Sequence, residues 1–74
     1  MKIEMRLFAT LREGRGKVIP MEVPEGAQVG EITDSLGIPR EEIAILLVNG
    51  RDATVERVLA EGDAVSVFPP VGGG

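Results

Sequence analysis

The chain has 74 residues and a net charge of −4, with 12 Asp and Glu against 8 Lys and Arg. A chain this short makes one domain and buries only about 60% of the surface its unfolded form exposes. It has no Cys and no His, which excludes disulfides, thiolate and imidazole metal sites and the usual general base near neutral pH, and an acidic chain without a basic cluster is a poor nucleic-acid binder.

The first residues, MKIEMRLFATLRE, carry Lys2, Glu4, Arg6, Arg12 and Glu13, with no apolar stretch suited to an export signal. No run approaches the ~20 apolar residues of a membrane span. The expected compartment is the cytoplasm, with no membrane partner.

Residues 2–9 alternate, with Ile3, Met5 and Leu7 on one side and Lys2, Glu4 and Arg6 on the other. This is the period of a strand with one buried face. Glu13-Gly14-Arg15-Gly16 predicts a turn. Residues 17–23 alternate again, with Ile19, Met21 and Val23 inward; Pro20 has no N–H for a ladder and places this strand at a sheet edge. The two strands read as a hairpin joined by a short Gly-rich turn. Pro24-Glu25-Gly26 breaks the chain, and Val29, Ile32 and Leu36 then recur at helical spacing until Gly37 and Pro39. Gln28 stands where a Ser, Thr or Asp cap is expected, so the helix start should be frayed or displaced by a residue. Arg40-Glu41-Glu42 is at most one further turn.

The run Ile43–Val48 reads as a buried strand, Asn49-Gly50 as a tight hairpin turn, and Arg51–Ala53 as a short strand. Val55, Val58 and Leu59 suggest a helical turn plugging one end of the core. After the Glu61-Gly62-Asp63 turn, Ala64–Phe68 alternates as a last strand with Val65 and Val67 inward. A hairpin, a helix across one face and further strands make an α+β roll. The first and last strands must pair in the middle of a mixed sheet of four to five strands. That is the β-grasp arrangement. Residues 1–71 are expected as one domain and 72–74 as a flexible Gly tail.

Nothing in the body resembles an active site. Gly26, Gly30 and Gly37 do not form a phosphate loop, the carboxylates are scattered over what reads as a solvated surface, and Ser35 and Ser66 have no His to activate them. The tail is different. Pro69 and Pro70 donate no hydrogen bond, so the last strand must stop at Phe68, and they hold the exit direction extended. Gly72, Gly73 and Gly74 then remove every side chain, as suits a thread entering a channel too narrow for a Cβ. Such a tail suits chemistry on the Gly74 carboxylate carried out inside another protein. Phe8 and Phe68, the only aromatic residues, fall on the polar side of their strands by strict alternation. If the strands are neighbours, the two rings form an exposed patch beside the tail exit, a candidate partner site.

Phe68-Pro69-Pro70-Val71 followed by Gly73-Gly74 resembles the tail of the ubiquitin-like sulfur carriers of the MoaD/ThiS family, and in particular that of the small subunit of molybdopterin synthase. Arg6–Glu13, Leu47-Val48-Asn49-Gly50 and Glu61–Val65 are similar to family patterns at the corresponding places, so the resemblance covers essentially the whole chain. It departs at Gly72, often a small non-Gly residue in that subunit, and over Leu36–Ile45, which is compressed. The resemblance implies that the chain is a carrier and not an enzyme, binding no cofactor itself. A partner of the ubiquitin-activating type would adenylate Gly74 with ATP, and a sulfur donor would convert it to a thiocarboxylate. The sulfur would pass to molybdopterin within the large synthase subunit, with Phe8, Phe68, Pro69, Pro70, Val71 and Gly72 contacting partners and Gly73 and Gly74 at the reacting end. Carriers for thiamine thiazole or another sulfur-containing metabolite, a protein modifier joined through Gly74 to a lysine, and a plain β-grasp interaction module are the alternatives.

Overall fold

The computed structural model describes residues 1–71; the expectations placed on Gly72, Gly73 and Gly74 lie outside them. The strands are β1 (Lys2–Leu7), β2 (Val18–Glu22), β3 (Ile45–Val48), β4 (Arg51–Asp52) and β5 (Ala64–Phe68), with one helix, α1 (Val29–Ser35), between β2 and β3. They form a five-stranded sheet in the order β2-β1-β5-β3-β4. β1 and β5 run parallel at its centre, and the other pairings are antiparallel. This is the mixed β-grasp sheet expected from the sequence, and β2, with Pro20, is at its edge.

The alternating residues are what build the core. Ile3, Met5 and Leu7 of β1, Val65 and Val67 of β5, and Leu46 and Val48 of β3 are buried together with Val29 and Ile32 of α1. Because the single helix covers one face only, the other face of the sheet stays open. The helix start is better made than Gln28 suggests. The Glu31 side chain accepts the Gln28 N–H at 2.8 Å. The Val29 and Gly30 N–H groups donate to the Arg57 and Val55 carbonyls at 2.9 and 2.8 Å. Donors that a helix leaves unpaired at its N-terminus are therefore satisfied by a distant loop, and the start is not frayed. At the other end Arg15 donates to the Leu36 and Gly37 carbonyls, both at 2.9 Å, a cation on the negative end of the helix.

Four further expectations need correction. The first strand stops at Leu7 rather than residue 9, and the hairpin turn is not short. Ala9 takes a left-handed conformation (φ 52°), and Ala9–Arg12 form a 3-10 turn that returns Leu11 to full burial. Val55–Leu59 do not make a helical turn. The segment is irregular apart from one bridge between Gln28 and Val58, with Leu59 buried as a plug and Val58 53% exposed. Its carbonyls serve α1, and a closed helical turn would have used them internally. β3 is not buried on both faces either, since it alternates with Leu46 and Val48 inward and Ile45 and Leu47 on the open side.

Candidate functional site

The open face and the root of the tail meet at one corner of the sheet. β5 ends at Phe68, and its last residues are held from both sides. The Phe8 N–H donates to the Val67 carbonyl at 3.2 Å and the Ala44 N–H to the Phe68 carbonyl at 2.9 Å. Pro69 and Pro70 have no N–H to continue either ladder, so the chain leaves the sheet here. Pro69 is half-buried, Pro70 exposed and Val71 94% exposed.

Phe8 and Phe68 come together as the alternation suggests. Their ring centroids are 4.1 Å apart and the planes differ by 12°, a near-parallel stack in which each ring is half-buried. Phe8 reaches this position from just beyond β1, where the turn at Ala9 begins. The stack continues on its far side. The Arg12 guanidinium lies 5.3 Å from the Phe8 centroid, within cation–π range, and its Nε donates to the Leu7 carbonyl at 2.8 Å. Arg12 thus braces Phe8 from the 3-10 turn. Its part was not legible in the sequence, because it depends on the turn conformation and on no periodicity.

Register extends the patch. Ile45 is paired with Phe68 and Leu47 with Ser66, and paired residues share a face. Ile45 is 50% exposed. The sequence reading missed both because a continuous apolar run does not reveal which of its residues face solvent. The tail end of the open face is therefore apolar, built on Phe8, Phe68, Ile45 and Leu47. Its other end carries Lys2, Glu4 and Glu22, and Arg6, in the same row as Ser66 and Leu47, is paired to Glu4 between the two ends.

No group of three or more potential metal-binding side chains occurs among the described residues. Asp63, the one buried carboxylate among the described residues, is taken up by hydrogen bonds from Asn49 and the Ala60 N–H. Arg40 has its pKa raised by its hydrogen bonds to Asp34, stays charged at any ordinary pH, and lies on the helix side. No helix among the described residues is long and apolar enough to cross a membrane. What the corner offers is a fixed exit for the chain beside a flat apolar surface.

Residues 1–72 match the Mut7-C ubiquitin family. The chain belongs to this ubiquitin-like family. It is 38% identical to small archaeal modifier protein 3 of Haloferax volcanii, with all of both chains covered. Among solved structures, small archaeal modifier protein 1 of the same organism superposes with a TM-score of 0.80 at 29% identity, again over all of both chains. A protein from Pyrococcus furiosus described as putative molybdopterin converting factor subunit 1 gives 0.76 at 29% identity, covering 96% of this chain and 99% of that one. The chain is thus a ubiquitin-like protein of the modifier and sulfur-carrier type, not an enzyme, and its neighbours share the β-grasp fold.

Proposed function

We propose that this protein is a sulfur carrier whose one reactive group is the carboxylate of Gly74. The observation that carries the reading is the tail root. Val71, 94% exposed, ends a two-proline strut that begins directly after Phe68, one of the two stacked rings. A partner that seats the apolar corner then receives the following glycines at a fixed position. In the proposed cycle an adenylating enzyme of the ubiquitin-activating type binds the corner and threads Gly72–Gly74 into its site. A carboxylate oxygen attacks the α-phosphorus of ATP and pyrophosphate leaves. Sulfide supplied by a donor attacks the acyl carbon, AMP departs, and a thiocarboxylate remains. ATP is the partner's substrate, and this chain binds no cofactor. The proposed acceptor is the large subunit of molybdopterin synthase, where the sulfur enters the dithiolene of the pterin. The Phe68–Val71 element and the likeness to the Pyrococcus protein support that branch. The expected setting is the cytoplasm.

A second reading shares the first step. The relative at 38% identity is named a modifier protein, and an adenylated Gly74 attacked by a lysine amine instead of sulfide forms an isopeptide bond. The experiment is incubation with a cognate activating enzyme, ATP and a sulfide donor, with and without lysine-bearing target protein. Exchange of one oxygen for sulfur, placed on the last residue by fragmentation, supports the carrier; a conjugate to lysine supports the modifier. Deleting Gly74 draws the carboxylate back by roughly 3.5 Å along an extended chain. Reacting atoms must approach to about 3–3.5 Å, so the deletion should abolish both products. Sulfur uptake by the deletion variant, or no change in the intact protein, overturns the reading and leaves a plain interaction module.

A further inference from the structure

The turn between β3 and β4 holds a reactive dipeptide. Asn49, the only asparagine of the chain, stands directly before Gly50. The two residues make the whole connection, with Val48 paired to Arg51. Both take positive φ, 53° and 81°, as a two-residue hairpin turn of this hand requires, and both are exposed. In such a pair the glycine nitrogen can reach the asparagine side-chain carbonyl carbon, because no Cβ on the following residue blocks the approach. Attack there closes a five-membered succinimide. The glycine N–H gives its proton to solvent base, the side-chain nitrogen takes a proton up and leaves as ammonia, and one water then opens the ring. The product is an aspartate, or its isomer joined through the side-chain carboxyl. Water is the only co-reactant.

The fold holds this reaction back. The Asn49 side-chain nitrogen, which is the leaving group, donates to the Asp63 carboxylate at 2.8 Å. The side-chain oxygen accepts the Ala64 N–H at 2.9 Å. Cyclisation turns the side-chain amide over the Gly50 nitrogen, so both bonds must open first, and a bond to a charged group is among the stronger ones. The same partners oppose the product. A carboxylate at position 49 has no N–H to offer, so two like charges meet where a donor met an acceptor. Asp63 is 7% exposed and its second oxygen accepts the Ala60 N–H at 2.8 Å, so it cannot turn away without losing that bond. The isomer adds a carbon to the main chain of a turn whose two residues leave no slack.

We propose that Asn49 is a deamidation site which Asp63 keeps closed in the native fold, and that its conversion releases the start of β5. The bond lost ties the end of β3 to the residue before Ala64. β5 keeps its pairing with β1 from Ala64 to Val67 but loses the clasp on its first residue. The change is one-way, because ammonia is lost to solvent. It is made at the end of β5 opposite the tail root and alters no residue of the stacked corner. Gln28, the only other side-chain amide, precedes the β-branched Val29 and would have to close a larger ring, so it serves as an internal control.

The test incubates the full chain in mildly alkaline buffer, folded and in urea above its unfolding midpoint, and follows the tryptic peptides by mass. In urea Glu41–Arg51 should exchange ammonia for water while Val18–Arg40, which carries Gln28, stays unchanged. In the folded chain the exchange should be slower by roughly tenfold or more, the factor for first opening a bond to a charged group. Asp63→Asn offers one oxygen where two are used, and should convert faster than the folded parent. Asn49→Asp, which copies the product, should lower the urea midpoint. Asn49→Asp combined with Asp63→Asn should restore it, because the amide then donates from the other side. Equal rates in folded and unfolded chain or in parent and Asp63→Asn, no conversion in urea, an unchanged midpoint for Asn49→Asp, or a double variant no more stable than Asn49→Asp alone overturns the proposal.

Discussion

Asn49 donates its side-chain amide to the Asp63 carboxylate at 2.8 Å, and this bond locks the turn after β3 to the start of β5. Asn49 also accepts the Ala64 N–H on its side-chain oxygen at 2.9 Å and donates its own N–H to the Ala64 carbonyl at 2.8 Å. Asp63 accepts the Ala60 N–H at 2.8 Å on its second oxygen. The pair thereby sets the register of β5, whose other end is the tail root. A slip of one residue would turn Phe68 inward and Val67 outward.

Removing the lock should therefore be felt in stability. Asp63→Ala leaves the Asn49 amide and the Ala60 N–H without their acceptor, in a place where Asp63 is 7% exposed. The expected loss is about 1–3 kcal/mol, read as a lower urea midpoint. An unchanged midpoint would mean that water replaces both bonds and that the register is held elsewhere.

Gly30→Ala should destabilise the protein although helix propensity alone favours Ala by ~1 kcal/mol. A Cβ at Gly30 would stand 2.6 Å from the Arg40 guanidinium and 3.1 Å from the Val55 Cβ. Arg40 can swing aside and give up its fork on Asp34, a surface pair of small worth. Val55 is less free, because its carbonyl accepts the Gly30 N–H at 2.8 Å. Overpacking of this kind costs about 1–3 kcal/mol. A higher melting temperature for Gly30→Ala would show that the 55–57 loop yields without loss.

Phe68→Ala should separate binding from folding. Truncating an anchor at the centre of an interface costs about 2 kcal/mol or more, so affinity for a cognate activating enzyme should fall at least about thirtyfold. The core lies on the other face of the sheet, so unfolding should remain cooperative. Unaltered affinity with a large loss of stability would make the stacked rings a structural element only.

Replacing Pro69 and Pro70 together by Ala should slow adenylation while leaving the melting temperature little changed. The variant must order freed backbone when the tail enters the partner, at ~1–2 kcal/mol per residue. Equal single-turnover rates for variant and parent would remove any role for the stiffness of the strut.

The sequence by itself determined the sheet, the edge position of β2 and the place where β5 stops. Period-two alternation assigns Ile3, Met5, Leu7, Val65 and Val67 to the core without reference to any neighbour, and the missing N–H of Pro20, Pro69 and Pro70 is a covalent fact. It also brought Phe8 and Phe68 to one face, since parity follows from alternation. Only the tertiary structure decided the rest. The 3-10 turn that sends Leu11 into the core and Arg12 onto Phe8 depends on a left-handed Ala9, which no local preference favours. The α1 start is satisfied by carbonyls from residues 55 and 57, so neither segment can be read alone. Ile45 and Leu47 reach solvent because one helix covers one face of the sheet, a property of the assembled layers. Local chemistry sets periods and stops, whereas contacts between segments distant in the chain are decided when those segments share one core.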